Sequence, residues 1–295
     1  MRQFRISRRI LTLLLIAPTL AVVLSVTIFP LFYAAWTSLL DWNLLYTPFG
    51  SAPFVGGANY LTILENPFFW RTNMLVTVLY SAGSTGIEFL AGLGLAILLA
   101  AAKPRGEKIF RVIFVMPILM APIAVGYIWK YMMEPSIGLV NFFLRSLSLP
   151  APMWNTSAST SLISVILVDA WQWTSFTFLI FLAAIYALPA EPYEAASIDG
   201  ASTWSKFRFI TLRLLTPIII IVVLIRLMDT MKFIDVIYAM TTGGPAQTTE
   251  ILAYYIFKQT FQTFWISVGA AGSFILLLIV NIFANVFIRY LPWER

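Results

Sequence analysis

Side chains that could carry acid–base or metal chemistry are scarce in this chain. Only 11% of its 295 residues are Asp, Glu, Lys or Arg, and the sequence contains no His and no Cys. This composition excludes thiolate nucleophiles, disulfides, His-based catalysis and Cys/His metal centres. We therefore predict no catalytic residue, no metal site and no cofactor bound by this chain. What remains to be explained is a small set of charges inside long apolar stretches.

One polar stripe lies near position 230. Arg226, Thr230 and Phe233 recur at spacings of four and three, which puts them on one helix face, and Asp229 lies beside them. Charged groups within a bilayer usually face a cavity or a partner. Two interpretations stay open. Arg226 and Asp229 form an ion pair between packed helices, or the stripe lines a path in which guanidinium and carboxylate bind hydroxyl groups.

A second stripe combines a carboxylate with aromatic rings. Asp169, Trp173 and Phe176 recur at i, i+4 and i+7 on one helix face. Such a face suits a ligand that presents C–H surfaces and hydroxyl groups together, although aromatic residues also pack helix bundles without binding a ligand. Glu88 differs because glycines surround it, and we expect it to be hydrogen-bonded across a close helix–helix interface.

The elements that position these stripes are expected to be membrane helices. Hydrophobic residues make up 60% of the chain. Its charged fraction is well below the roughly 25% that is usual in soluble domains. The composition excludes a soluble enzyme, a disordered chain and a nucleic-acid binder. We expect a lipid bilayer as the surroundings and no nucleic acid as a partner.

Six stretches are apolar and long enough to cross a bilayer, for which a helix needs about 20 residues. No connecting loop has room for a separate soluble domain, so the prediction is an all-α polytopic membrane protein with a single transmembrane domain over residues 1–295. The first stretch is too long for the core of a signal peptide and is expected to be a retained helix. The expected spans are 10–34, 72–102, 109–131, 161–187, 214–236 and 262–288.

Lysine and arginine set the expected orientation. With the N-terminus in the cytoplasm, the cytoplasmic segments hold thirteen of these residues and the outer segments hold four. Positive charge collects in cytoplasmic loops. Both termini and the loop at 188–213 are therefore predicted to be cytoplasmic.

This cytoplasmic loop has its own helix signals. Pro192 suits the first turn of a helix, and Glu194 places negative charge at its positive end. Gly200 can end that helix, and Ser202 can cap the next one. We predict two short helices bent at the glycine. They form either a plain interfacial connector or a docking element for a cytoplasmic partner.

The same loop carries a family resemblance. The run Glu194-Ala195-Ala196, followed by Gly200, resembles the EAA loop of ABC importer permeases. The stretch 241–245 resembles the outer Gly-Gly-Pro segment of the maltose-permease-like first subunit in the carbohydrate-uptake branch. Arg213 stands where that family usually has Pro, so altered local helix geometry is expected. The ATPase-coupling residues that the resemblance implies are Glu194, Ala195, Ala196, Asp199, Gly200 and Ala201.

The resemblance implies the fold and the assembly of a type I ABC importer. This chain would pair with a second homologous permease subunit and with two ABC ATPase subunits that hold ATP and Mg; it has no phosphate-binding P-loop of its own. A periplasmic or extracellular solute-binding protein would deliver a sugar or sugar derivative at the bacterial inner membrane. The substrate-path residues that the resemblance implies are Asp169, Trp173, Phe176, Arg226, Asp229, Thr230 and Phe233.

Two other classes of function explain part of the pattern. An ion-gradient-driven secondary transporter or channel would use Asp169, Asp229 and Asp235 as proton or sodium carriers. That hypothesis leaves the EAA-like loop unexplained. A membrane-embedded enzyme would need an acid–base pair, for which Arg226 with Asp229 is the nearest candidate. Dependence of uptake on ATP rather than on an ion gradient would favour the ABC importer over the ion-gradient-driven transporter.

Overall fold

The computed structural model describes residues 8–48, 50–102 and 104–290. Within these ranges the chain forms helices and only two isolated β-bridges, so the predicted all-α class is confirmed. Short non-α turns join some of the helices. Three of them are π-helical, at Leu24–Ile28, Phe69–Met74 and Phe207–Thr211, and one is a 3-10 turn, at Met116–Leu119. The helices are α1 (Arg8–Val23), α2 (Phe29–Ser38), α3 (Ala58–Leu64), α4 (Leu75–Ala102), α5 (Glu107–Val115), α6 (Pro122–Met132), α7 (Leu139–Ser146), α8 (Ser161–Tyr186), α9 (Glu191–Ile198), α10 (Thr203–Lys206), α11 (Leu212–Thr230), α12 (Asp235–Met240), α13 (Leu252–Phe261) and α14 (Ile266–Tyr290).

Five helical runs of the described residues are long and apolar enough to cross a membrane. A sixth candidate is the pair Glu107–Leu119 and Pro122–Met132, which is bent by 98°. The count therefore agrees with six spans when the bent pair is taken as one. The five continuous runs are Thr12–Ser38, Phe69–Ala102, Ser161–Tyr186, Thr203–Thr230 and Ile266–Arg289.

The expected third span, 109–131, corresponds to the bent pair and is not one straight helix. Met120 and Ala121 have extended backbone conformations between the two halves. Ala121 precedes Pro122, and the proline ring disfavours a helical conformation in the residue before it. The break therefore follows directly from the local sequence.

The expected fifth span, 214–236, is also displaced. Its helix begins at Thr203, because Ser202 Oγ accepts a hydrogen bond from the Ser205 amide at 3.2 Å and caps it. It ends at Thr230, and Asp235 starts the separate helix α12. The second half of the expected loop 188–213 is thus the beginning of the span itself. The first half contains α9, as predicted.

One compact unit of the chain holds the described residues up to Asn66 together with Ile256–Leu276. Its irregular segments are fixed by side chains. The Trp42 amide donates to Ser267 Oγ at 2.7 Å, and Asn59 Nδ2 donates to the carbonyl oxygens of Ser38 and Leu40 at 2.8 and 2.6 Å. Buried amides of this kind need such partners, because an unpaired polar group inside a protein is costly.

The other unit, which contains Pro67–Tyr255, is built on the contact between α4 and α8. A Cβ added at Gly92 would lie 2.0 Å from Thr177 Oγ1 and 2.8 Å from the Phe178 amide nitrogen, so the two helices approach too closely for any side chain there. Thr177 Oγ1 donates to the Glu88 carbonyl at 2.8 Å across the same contact. The expected small-residue interface is therefore present at Gly92, whereas a Cβ added at Gly86 or Gly94 would meet no atom within 4 Å.

Replacing Gly92 with valine is expected to destabilise this unit by about 1–3 kcal/mol, the usual cost of overpacking. The Phe178 backbone cannot move aside as a flexible side chain would. Gly94→Val on the same helix is the matched control, because open space surrounds Gly94. Thermal unfolding of the purified chain in detergent measures both; equal melting temperatures for the two variants would contradict the close contact.

The segment after α6 is ordered by a carboxylate. Glu134 accepts hydrogen bonds from the amides of Ser136 and Ile137 at 2.8 and 2.7 Å and from Ser136 Oγ at 2.7 Å. These bonds lower the pKa of Glu134, and the bond from the Ile137 amide contributes most.

The order that Glu134 gives to this turn is therefore present above the ordinary carboxyl pKa and is lost as the pH falls through the lowered value. We expect the protection of the Ser136 and Ile137 amides, measured as the exchange rate relative to the intrinsic rate at the same pH, to fall only in that acid range. Glu134→Gln should lower this protection at neutral pH as well. Unchanged protection in the parent protein across this range would show that the carboxylate does not hold the turn.

Candidate substrate-path cluster and coupling loop

Three buried charges from three helices meet in the interior of the Pro67–Tyr255 unit. Arg226 of α11 donates from Nε and Nη2 to Glu88 of α4 at 2.5 and 2.8 Å, and from Nη2 to Asp169 of α8 at 3.2 Å. Their side chains are 1%, 0% and 2% exposed. The paired bonds to Glu88 use the fork geometry of the guanidinium. The cluster therefore ties the three helices together.

The backbone geometry of α4 and α8 makes this cluster possible. The close approach at Gly92 brings the turn that carries Glu88 next to α8, and Asp169 lies about two turns earlier on α8 than Thr177. Buried Tyr80 lies two turns before Glu88 on α4, near Asp169.

An aromatic group packs beside the cluster. The Trp173 ring centroid lies 4.4 Å from Arg226 Cζ, which is a cation–π distance. The same ring contacts Phe233 at 5.7 Å and Phe176 at 6.3 Å between centroids. Trp173, Phe176 and Phe233 are all partly exposed. Thr230 is enclosed, and its hydroxyl donates to the Arg226 carbonyl at 3.0 Å.

The expected ion pair between Arg226 and Asp229 is wrong. Asp229 pairs with Lys232 at 3.1 Å, and both of these side chains keep substantial exposure, 27% and 53%. Arg226 instead points to the buried side of α11, where two carboxylates compensate its charge. Of the seven predicted path residues, Asp169 and Trp173 contact the guanidinium of Arg226, and Phe176 and Phe233 contact the Trp173 ring. Thr230 lies in the turn behind Arg226, and Asp229 lies apart.

Sequence reasoning placed Glu88 at a helix interface but did not find its partner, and it missed Tyr80. The charged residues within the predicted spans could have identified this partner. Glu88 and Asp169 are the two carboxylates of the second and fourth spans, and a buried carboxylate requires a cation. Arg226, the arginine inside the fifth span, is the residue that meets this requirement.

The predicted coupling residues lie at an exposed helix end. Helix α9 ends at Ile198, and Gly200 follows with φ = +74°, a left-handed conformation that favours glycine. Four of the six coupling residues are exposed: Glu194, Ala195, Asp199 and Gly200. The other two, Ala196 and Ala201, are half-buried. A hydrogen bond from the Ala201 amide to the Ala196 carbonyl, 2.8 Å long, joins them.

Apolar side chains are also exposed next to this turn. Ile198 is 88% and Trp204 65% exposed. The turn itself is rigidly held, because Lys206 Nζ donates to Ser197 Oγ at 2.7 Å and the hydroxyls of Tyr193 and Thr211 lie 2.9 Å apart. A preformed, exposed turn with apolar side chains is typical of a surface that docks onto another protein.

The glycine-rich segment at 241–245 folds into a tight turn. The hydroxyls of Thr241 and Thr249 lie 2.7 Å apart, and Thr249 Oγ1 donates to the Gly244 carbonyl at 3.0 Å. Thr248 reaches α8, where its hydroxyl lies 2.9 Å from Ser161 Oγ. The motif therefore fixes the connection between α12 and α13 against α8.

Residues 92–292 match the model of the family described as binding-protein-dependent transport system inner membrane component. The chain belongs to this family. A probable ABC transporter permease protein of Pyrococcus horikoshii is 34% identical over 96% of this chain and 94% of the relative. The trehalose/maltose transport system permease protein MalF of Thermococcus litoralis is 33% identical over 96% of this chain and 94% of the relative. The chain is therefore a multi-pass transporter subunit and not an enzyme.

A solved structure agrees with this permease fold. A bacterial ABC transporter involved in the import of the acidic polysaccharide alginate superposes with a TM-score of 0.80 and covers 96% of both chains. The two sequences are 23% identical. The fold of this inner membrane component is thus that of an ABC importer permease, as the resemblance predicted.

Proposed function

We propose that this permease is one of two homologous subunits that form the membrane path of an ATP-driven importer for a sugar or sugar derivative. The family match over residues 92–292, which includes the exposed turn at 194–201, carries the proposal. The Thermococcus litoralis relative is a trehalose/maltose transport permease, which supports a sugar as the substrate. The proposed location is the bacterial inner membrane, with both termini in the cytoplasm.

The proposed partners follow from this role. Two ABC ATPase subunits would bind ATP and Mg and seat the turn at Glu194–Ala201. A second permease would complete the path, and a solute-binding protein would deliver the sugar from outside. ATP binding would close the ATPase dimer, and the helix bundles would then rock between inward and outward openings.

Helix continuity supports a direct mechanical link. From Thr203 the chain is helical without interruption to Thr230, so the helix that carries Arg226 begins two residues after the proposed docking turn ends at Ala201. A displacement of the turn would move the Glu88–Arg226–Asp169 cluster and the aromatic residues beside it. This arrangement supports the proposed substrate-path role of Asp169, Trp173, Phe176, Arg226, Thr230 and Phe233. Asp229, which is paired with Lys232, stays a predicted path residue outside the cluster.

Copurification tests the assembly. The tagged chain, expressed with its neighbouring genes and solubilised gently, should copurify with a second six-span permease and a P-loop ATPase. Ala195→Cys introduces the chain's sole thiol, because the native sequence has no cysteine. It should react with a membrane-impermeant maleimide only from the cytoplasmic side. Recovery of the chain alone, or labelling from outside, would contradict the proposal.

A further inference from the structure

Helix α7, in the connection between α6 and α8, turns its apolar side chains outward. Leu139, Phe142 and Phe143 recur at i, i+3 and i+4, which puts them on one helix face, and they are 48%, 63% and 57% exposed. Ile137 and Leu147, at the two ends of the helix, are also exposed. In a soluble domain the apolar face of a helix packs inward. The outward direction of this face, the apolar stripe of α7, therefore requires an explanation.

The opposite face of α7 is fixed by a buried polar side chain. Asn141 is 0% exposed. Its Nδ2 donates to the carbonyl oxygens of Pro152 at 3.0 Å and Pro135 at 3.3 Å, and its Oδ1 accepts a hydrogen bond from Trp154 Nε1 at 2.8 Å. These bonds hold the helix between the segment before it and the segment after it. The apolar stripe is therefore presented outward by a preformed structure.

Two contacts place α7 level with the end of a membrane span. Ser164, in the first turn of the span formed by α8, donates from Oγ to the Trp154 carbonyl at 2.9 Å. Asn155 Nδ2 donates to the carbonyl of Lys130 in the last turn of α6 at 3.4 Å. Since Trp154 is bonded to Asn141, α7 lies near these helix ends, where a tryptophan is typical of the membrane–water boundary. The α8 span separates this surface from the proposed docking turn.

A lipid leaflet is the surface that fits the apolar stripe best. At the same level, Ile163 in the first turn of α8 is 53% exposed, so apolar side chains also point outward on the span itself. A solute-binding protein would have to leave between deliveries and would return the stripe to water each time. The bilayer is present throughout. A helix with one apolar face lies in the interface with that face about 5–10 Å into the boundary of headgroups and acyl chains.

We propose that α7 is an interfacial anchor whose apolar stripe lies among the upper acyl chains of the leaflet at this surface. Asn141 and Trp154 connect the anchor to the ends of α6 and α8 and so set the depth of both helices. The inference goes beyond the proposed function, because it requires neither a sugar substrate nor an ATPase.

A fluorescent label at Ser146 tests the position of the stripe. Ser146 is exposed and lies on the same face as Phe142 and Phe143, and Ser146→Cys introduces the chain's sole thiol. The complete transporter, labelled there with an environment-sensitive fluorophore, is placed in phosphatidylcholine nanodiscs. Lipids with a nitroxide near the headgroup are expected to quench most of the fluorescence, and lipids with a nitroxide at the end of the acyl chain are expected to quench less. Ala195→Cys, at the exposed turn beyond α8, is the control and should be quenched by neither lipid.

Removing the two rings tests whether the stripe causes the insertion. Phe142→Ser with Phe143→Ser, added to labelled Ser146→Cys, is expected to shift the emission to the red and to lose most of the quenching. Phe261→Ser removes a phenylalanine that is 63% exposed in α13, and it should leave both signals unchanged. If the double variant does not assemble, the depth measured with Ser146→Cys alone decides, because that protein keeps both rings.

Several results would overturn the inference. Absence of quenching by either lipid would show that the stripe does not reach the bilayer. A blue-shifted emission without quenching would show that the second permease covers it, and an emission shift caused only by added binding protein would make it a docking surface for that protein. Stronger quenching from the chain end than from the headgroup region would place α7 in the hydrocarbon core.

Discussion

Replacing Arg226 with leucine is expected to leave little folded protein in the membrane. The change strands Glu88 and Asp169, both buried, without a compensating cation. Removing one partner of a buried ion pair costs about 3–5 kcal/mol, a large part of the stability of most domains. The yield of monodisperse chain and its melting temperature in detergent are the measurements.

Two further variants sharpen this result. Lys232→Leu removes an exposed ion-pair partner and should cost no more than about 1 kcal/mol. Combining Arg226→Leu with Glu88→Leu and Asp169→Leu removes every charge of the cluster and is expected to recover much of the yield, because apolar residues can replace a buried ion network. Normal stability of Arg226→Leu alone would show that the cluster does not hold the three helices together.

Gly200→Pro is expected to uncouple transport from ATP hydrolysis while the chain still inserts and folds. Gly200 has φ = +74°, which proline cannot adopt, and its amide donates to the Ser197 carbonyl at 3.2 Å. The exposed turn would be displaced, and the loss of uptake should reach about a hundredfold, near the upper end of coupling energies between sites. Uptake and ATPase activity of the reconstituted transporter are measured in parallel.

Charge reversal on α9 gives an independent check of the same turn. Glu194→Lys should abolish uptake, whereas Glu191→Lys, on the same exposed helix but outside the EAA-like run, should leave most of it. Cysteine at Ala195 should crosslink to the ATPase subunit. Full transport by Gly200→Pro or Glu194→Lys, with no crosslink from position 195, would contradict docking through this turn.

Features with local causes could be predicted from the sequence. The helix pair around Gly200, the cap at Ser202 and the apolar spans follow from signals within a few residues. The bend in the third span has an equally local cause in Pro122, but a hydropathy window averages over it and gives only the bounds of the span.

The partner of Arg226 was not predictable in the same way. Asp229 is three residues away and satisfies the local spacing rule, whereas Glu88 is separated from Arg226 by 138 positions. Only the packing of α4 on α8 at Gly92 and Thr177, together with the packing of α11 against both helices, brings that carboxylate within reach. Local periodicity found the helix faces correctly, but which faces meet depends on tertiary contacts.

The most direct test of the account is uptake of radiolabelled trehalose and maltose by proteoliposomes that contain this chain with its copurified subunits and binding protein. Uptake is expected to require ATP on the side of the ATPase subunits, to persist when ionophores collapse proton and sodium gradients, and to fall about a hundredfold in Gly200→Pro. Uptake that is driven by an ion gradient without ATP would contradict the account and favour the secondary-transporter hypothesis.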